Sequence, residues 1–357
     1  LNDMTTANPT ANGNGNDLGA RLQSILLRQE TILFLVLIAG MALMSTLSDV
    51  FLTPENLLNQ GRLATEIALI ALPMTLIIIT GGIDLSVGSI AGLTAIMLGV
   101  AWQNWGLPLE LAIVIALAIA TACGAFNAFF ITRVGLPPLI TTLATLALFR
   151  GLALVIIGDN AVADFPRGLT TFFTSKIGGT GIPTVMIGVA AIALFFGMLL
   201  HFTAFGRGLY AMGFSKEAAR FVGIKVSRAK FWLYVACGIV SALAGIYWTL
   251  RYSSARSDNA SGLELAVIAS VLLGGVSIFG GKGSIPGVIA GVLLIGTINY
   301  ALRLNRISDV VLIIVTGSLL IASVVAPSAW SGIKSWQHER RMRRELPEVS
   351  TSGSPSA

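Results

Sequence analysis

The sequence predicts an all-α, polytopic transmembrane bundle of about ten spans, and three observations carry that prediction. Of its 357 residues 55% are hydrophobic and only 11% charged, against roughly 25% charged in a soluble domain, so a water-soluble fold would lack polar surface. Apolar runs of about 18 or more residues recur along the chain, and about 20 helical residues cross the roughly 30 Å hydrocarbon core. Stretches such as "LAIVIALAIATACGAFNAFF" have no apolar/polar alternation, which excludes the short amphipathic strands of a membrane β-barrel.

In chain order, residues 1–28 open on "LNDMTTANPTANGNGNDLGA" and read as a disordered polar tail, not a cleaved signal. Apolar windows bounded by charges, Gly or Pro then give ten candidate spans within a membrane domain over 29–327. They run Thr31–Asp49, Leu63–Thr80, Val87–Asn104, Leu109–Ile131, Leu139–Ile157, Pro183–Phe202, Phe231–Leu250, Leu263–Gly281, Ser284–Leu302 and Asp309–Ala326. Pro137 and Pro138 break the chain just ahead of the fifth. The longest connection, Gly158–Ile182, reads as a loop on the outer face, and 328–357 as a basic, mostly disordered tail. Its "KSWQHERRMRRELPE" suits lipid headgroups better than nucleic acid when it follows a span.

An even count puts both termini on one side. With the N-terminus inside, fifteen of the 23 Lys and Arg fall in cytoplasmic segments and seven outside, so the positive-inside rule favours an N-in, C-in topology. The same map places the connection 203–230 in the cytoplasm. There Ser215 is a good N-cap, Glu217 lies in the first turn and Gly223 fits a stop, which brackets a helix of about seven residues. So short a helix needs its own membrane domain or a partner to hold it; on physical grounds alone an ordinary amphipathic connector is an equal reading.

Other polar residues stand out against the apolar background. Arg150, inside "ALFRGLAL", must face the bundle interior or snorkel; pairing with Asp159 or contact with a solute are its alternatives. Asn127, Thr141, Thr142, Thr145, Trp248 and Asn299 have the chemistry to read hydroxyl groups, although each equally suits helix–helix hydrogen bonding. "GGIDLSVGSIAG" (81–92) and "GGKGSIPGVIAG" (280–291) resemble each other as an internal repeat would. Asp84, with Ser86 beside it, and Lys282 then occupy matching gating positions and could pair; Asp84 should otherwise lie at a membrane boundary. Cys123 and Cys237 read as small core residues, and His201 and His338 give a metal site almost no material. The loop "GGKGS" fails the phosphate-binding pattern, so the chain is read as a transport subunit, not an enzyme.

The order of residues narrows the class. "EAARFVG" (217–223) fits E-A-A-x-x-x-G and resembles the cytoplasmic loop of ATP-binding-cassette importer permeases. The segments around it, "GGIDLSVGSIAG", "VGLPPLITTLATLALFRGLAL" (134–154) and "LGGVSIFGGKGSIPGVIAGVLLIGTINYAL" (273–302), are similar to ribose-type carbohydrate permeases over roughly 33–326. The resemblance implies an inner-membrane subunit that works as a pair with an identical or related permease. It implies a periplasmic binding protein that delivers a monosaccharide or related solute, and ATPase subunits that carry the ATP and Mg, with no cofactor on this chain. Ser215, Lys216, Glu217, Ala218, Ala219, Arg220, Phe221 and Gly223 would dock the ATPase. The rival is an ion-coupled secondary transporter, which needs mid-span carboxylates that load an ion; Glu66 and Glu264 both read as lying near span ends.

Overall fold

The computed structural model describes residues 29–47, 50–158, 160–308 and 310–325. The readings of both tails, of Asp159 and of His338 lie outside the described residues. Within them the chain is a helical bundle. Its helices are α1 (Gln29–Leu47), α2 (Pro54–Leu63), α3 (Thr65–Ile79), α4 (Val87–Gln103), α5 (Leu109–Phe129), α6 (Pro138–Ile157), α7 (Arg167–Thr174), α8 (Thr184–Phe202), α9 (Ala204–Phe214), α10 (Lys216–Phe221), α11 (Val226–Tyr252), α12 (Leu263–Leu273) and α13 (Ile285–Leu304). A last apolar helix, α14, covers Val310–Val325.

Five of these are long and apolar enough to cross a membrane, and six if α2 and α3, bent by 49° at Ala64, count as one. Four of the ten windows hold shorter apolar helices. The window Leu263–Gly281 needs correcting as a helix: α12 has 11 residues, about 16 Å at 1.5 Å per residue, and half a membrane. Gly275, Gly280 and Gly281 have φ of +88°, +87° and +75°, a left-handed backbone that no helix accommodates but glycine adopts freely. Hydropathy sees only apolar residues there. The connection after α6 is also more ordered than a plain loop: it carries α7 and a strand β1 (Val162–Ala163) paired antiparallel with β2 (Ser254–Ala255).

α11 is the axis of the bundle. Its 27 residues span about 40 Å, and it packs against α3, α4 and α5. Tyr234 and Tyr247 are among the largest fully buried side chains of the chain. A second piece of irregular backbone follows it. Residues 253–262 double back along α4, where Gly99, Gly92 and Gly88 leave room: a Cβ would lie 3.0 Å from Ala255 Cβ at Gly99 and 2.9 Å from the Asn259 and Ala260 carbonyl oxygens at Gly92 and Gly88. Irregular backbone at membrane depth persists only where protein or a wet cavity satisfies it. Here α12 is a half-length helix with such backbone on both sides.

The basic residues assigned to the cytoplasm gather at one end. Arg133, Arg220, Lys225 and Arg228 line one groove, and the Lys282 loop is tied to the end of α9 by Tyr210 Oη, which donates to the Gly283 carbonyl at 2.7 Å. At that end the two similar Gly-rich segments come together: a Cβ on Gly280 would lie 3.1 Å from Gly81 N, and Gly281 N–H donates to the carbonyl of Ile79, just ahead of the first segment, at 2.9 Å.

Candidate functional site: a cavity and an exposed basic helix at opposite ends

The cavity is built where the half-length helix begins. Between α3, the last turns of α11, the start of α12, the second half of α13 and the start of α14 lies a space of about 450 Å³, lined among others by Glu66, Trp248, Tyr252, Asn299, Arg303 and Thr316. The volume suits a small solute. Trp248 and Tyr252 offer aromatic faces, their ring centroids 5.5 Å apart. Glu66 and Arg251 form an ion pair at 2.9 Å with side chains 3% and 6% exposed. Arg251 also donates to the Arg62 carbonyl at 3.1 Å and lies 4.7 Å from the Tyr252 ring centroid. Each charge thus has a partner, which a buried ion pair requires.

Of the residues read as contacting a solute, the structure brings Trp248 and Asn299 into this cavity. The others lie elsewhere. Arg150 Nη1 donates to the carbonyls of Ser257 and Asn259 at 2.9 and 2.8 Å, so it faces inward and staples the doubled-back segment. Thr141 and Thr145 bond to carbonyls of their own helix or its cap. Thr142 donates to the Ile83 carbonyl at 3.3 Å. Asn127 belongs to a separate polar knot: its amide donates to Ser86 Oγ at 2.8 Å, and that hydroxyl donates to Asp84 Oδ1 at 2.6 Å.

This knot overturns the expected Asp84–Lys282 pair. Asp84 is 0% exposed and takes its hydrogen bonds from Ser86, whose backbone N–H donates at 3.0 Å, whereas Lys282 is exposed and forms no ion pair among the described residues. Asp84 lies in the short connection between the end of α3 and the start of α4, and this loop supplies donors to its Oδ1 from its own next-but-one residue.

The opposite end carries the short helix. Ser215 caps α10, its hydroxyl accepting from Ala218 N–H at 3.2 Å and donating to Glu217 Oε2 at 3.3 Å. Gly223, at φ +84°, ends it. Ala219 is its one buried residue and anchors it, leaving Lys216, Glu217, Ala218 and Arg220 exposed. Phe221 is 91% and Val222 76% exposed. Phe221 and Val222 thus form an exposed apolar pair at the end of a capped helix, with Arg220 directly before them and Lys225 after.

Apolar helices, a half-length helix beside a polar-lined cavity, and a projecting capped turn together describe the membrane subunit of a transporter. Comparison with known proteins gives the family. Residues 56–324 match the family described as "Branched-chain amino acid transport system / permease component". An autoinducer 2 import system permease protein, LsrD, of Klebsiella pneumoniae subsp. pneumoniae is 37% identical over 308 residues, 85% of this chain and 92% of that relative. LsrD of Salmonella typhimurium is 37% identical over 284 residues, 77% and 85% of the two chains. The ribose import permease protein RbsC of Bacillus subtilis is 39% identical over 294 residues, 82% and 90%. No solved structure matches the chain. The chain belongs to the sugar-type permeases of ATP-binding-cassette importers and is a multi-pass membrane protein.

Proposed function

We propose that this chain forms the translocation pathway for a monosaccharide-like solute, with ATPase subunits gripping residues 215–223 and a binding protein delivering solute to the far end. The exposed Phe221–Val222 knuckle beside Lys216 and Arg220 carries this reading. It offers apolar contact and positive charge in one place, as a docking surface needs. Hydrolysis then belongs to the partner, with its ATP and Mg. A second permease subunit completes the pathway.

In this reading the bundle makes ten crossings with both termini inside, residues 253–284 together forming one of them. The cavity is the solute station: Trp248 and Tyr252 stack on the apolar face of a sugar ring while Asn299 and Glu66 meet its hydroxyls. The names of the relatives, an autoinducer 2 and a ribose permease, support a small polyhydroxylated solute. The Glu66–Arg251 ion pair favours a structural carboxylate over an ion-loading one, because its charge is already matched. Uptake that survives proton and sodium uncouplers but stops on ATP depletion fits the proposal; the reverse pattern returns the ion-coupled carrier. Glu217→Lys and Gly223→Asp should abolish uptake with membrane insertion intact, and normal uptake in both removes the docking role.

A further inference from the structure

Beside α10 two hollows meet along one strip of chain. The first, a groove of about 1150 Å³ between the end of α5 and the start of α11, is lined by Arg133, Arg220, Lys225 and Arg228 with Phe129 and Phe231 at its wall. No carboxylate lines it, and none of the four cations has an ion pair among the described residues. The second, about 270 Å³, is apolar, with Phe205, Leu209, Met212 and Trp232 in its lining. The two share Ile224, Lys225 and Arg228. Four like charges facing one groove repel unless an anion sits among them. Around them the surface is apolar: Phe129 is 50% and Trp232 57% exposed, and tryptophan at this position marks the level of lipid headgroups.

We propose that the paired hollows bind one anionic phospholipid of the surrounding bilayer, its phosphate held by Arg133, Lys225 and Arg228 and an acyl chain laid along Trp232 and Phe205. The basic groove alone would suit any phosphate. Its junction with an apolar hollow at Lys225 and Arg228 is what selects a lipid, because a free phosphate has nothing to place there. Basic pockets between membrane helices bind such headgroups through the same charge term. The site flanks the docking helix but needs no ATPase to form, so it stands or fails apart from the transport assignment.

The test uses the full chain in nanodiscs of phosphatidylcholine with a minority of phosphatidylglycerol, followed by native mass spectrometry during stepwise delipidation. Wild type should keep one phosphatidylglycerol, with affinity falling about five-fold for each charge removed in Arg133→Gln and Arg228→Gln. Arg228→Lys should retain it, as should Lys282→Gln, which alters an exposed cation outside the groove. Excess inorganic phosphate or glycerol 3-phosphate should not displace it. Equal retention in the Gln variants, or displacement by either small phosphate, overturns the lipid site. A photoactivatable phosphatidylglycerol supplies a reading on wild type alone: labels at Phe205 and Trp232 support the site, and labels confined to other helices overturn it.

Discussion

Truncating Phe221 tests the docking surface with the fold held constant. The side chain is 91% exposed, so Phe221→Ala removes almost no internal packing and should move the melting temperature no more than an ordinary surface change, within about 0.5 kcal/mol. A docked partner changes the arithmetic. A buried phenylalanine covers about 150–250 Å², and at about 25 cal/mol per Å² its full burial is worth about 4–6 kcal/mol at most, with about 2 kcal/mol the threshold for a dominant interface residue. The ATPase should therefore bind the variant at least about 30-fold more weakly. Purified ATPase titrated onto the permease in nanodiscs reads this directly, with uptake in cells as the functional correlate. Val155→Ala serves as control, since Val155 is 83% exposed on α6, away from α10. Wild-type affinity in Phe221→Ala, with its melting temperature unchanged, refutes the assignment of this knuckle as the docking face.

Three further perturbations probe the rest. Ser215→Ala removes the cap hydrogen bond to Ala218 N–H and should cost about 1 kcal/mol of local helix stability, read as faster hydrogen exchange at Ala218; unchanged exchange means the cap does not hold α10. Glu66→Ala leaves Arg251 buried without its carboxylate and should lower stability by about 3–5 kcal/mol, part of which Glu66→Ala with Arg251→Met recovers; additive losses in thermal melts would show the pair is not coupled. Gly92→Ala sets a methyl 2.8 Å from Arg150 Nη1 and 2.9 Å from the Asn259 carbonyl oxygen and should destabilise by about 1–3 kcal/mol; a stability equal to wild type would deny that the 253–262 segment packs against α4.

What the sequence discloses here follows from how local each signal is. The helix Lys216–Phe221 is legible because Ser215, Glu217 and Gly223 lie within nine consecutive residues, and the observed cap bonds use those residues. Windows of apolar residues locate helices equally well, since lipid imposes composition locally. The cavity is not legible in the sequence: it needs α3, α11, α12, α13 and α14 brought together, and of its polar lining only Trp248 and Asn299 read as solute contacts. Glu66 carried a usable signal, a carboxylate opening the run "EIALIALPM", which should have prompted a search for a cation on another span. Arg150 was read as facing inward or snorkelling, but its partners are backbone carbonyls over a hundred residues away, which no side-chain pattern reveals. Of the eighth window only Leu263–Leu273 is helical, because hydropathy is blind to backbone sign.

The two ends of the molecule are joined by continuous elements, and this bears on how docking could govern access. α11 begins at Val226, three residues after Gly223 ends α10, and reaches the cavity at Trp248, roughly 33 Å away along one unbroken helix. α3 runs the other way, from Glu66 at the cavity to Ile79, whose carbonyl accepts from Gly281 N–H at the end that carries α9 and the Lys282 loop. At the cavity the two are clasped by Glu66 and Arg251. A displacement at the start of α11 therefore reaches the cavity along one continuous helix, whereas α10 itself joins α11 through the turn at Gly223. α11 is also locked laterally: Gly124 and Gly238 face each other, and a Cβ on Gly238 would lie 2.9 Å from Gly124 Cα, so α5 must move with it. The element joined to this block by irregular backbone on both sides is the half-length α12, with flanks at 253–262 and 274–284. If α12 moves during transport, a disulfide engineered between those flanks and α4 should halt uptake while leaving ATPase binding intact, and uptake at the wild-type rate in the cross-linked protein would place the moving part elsewhere.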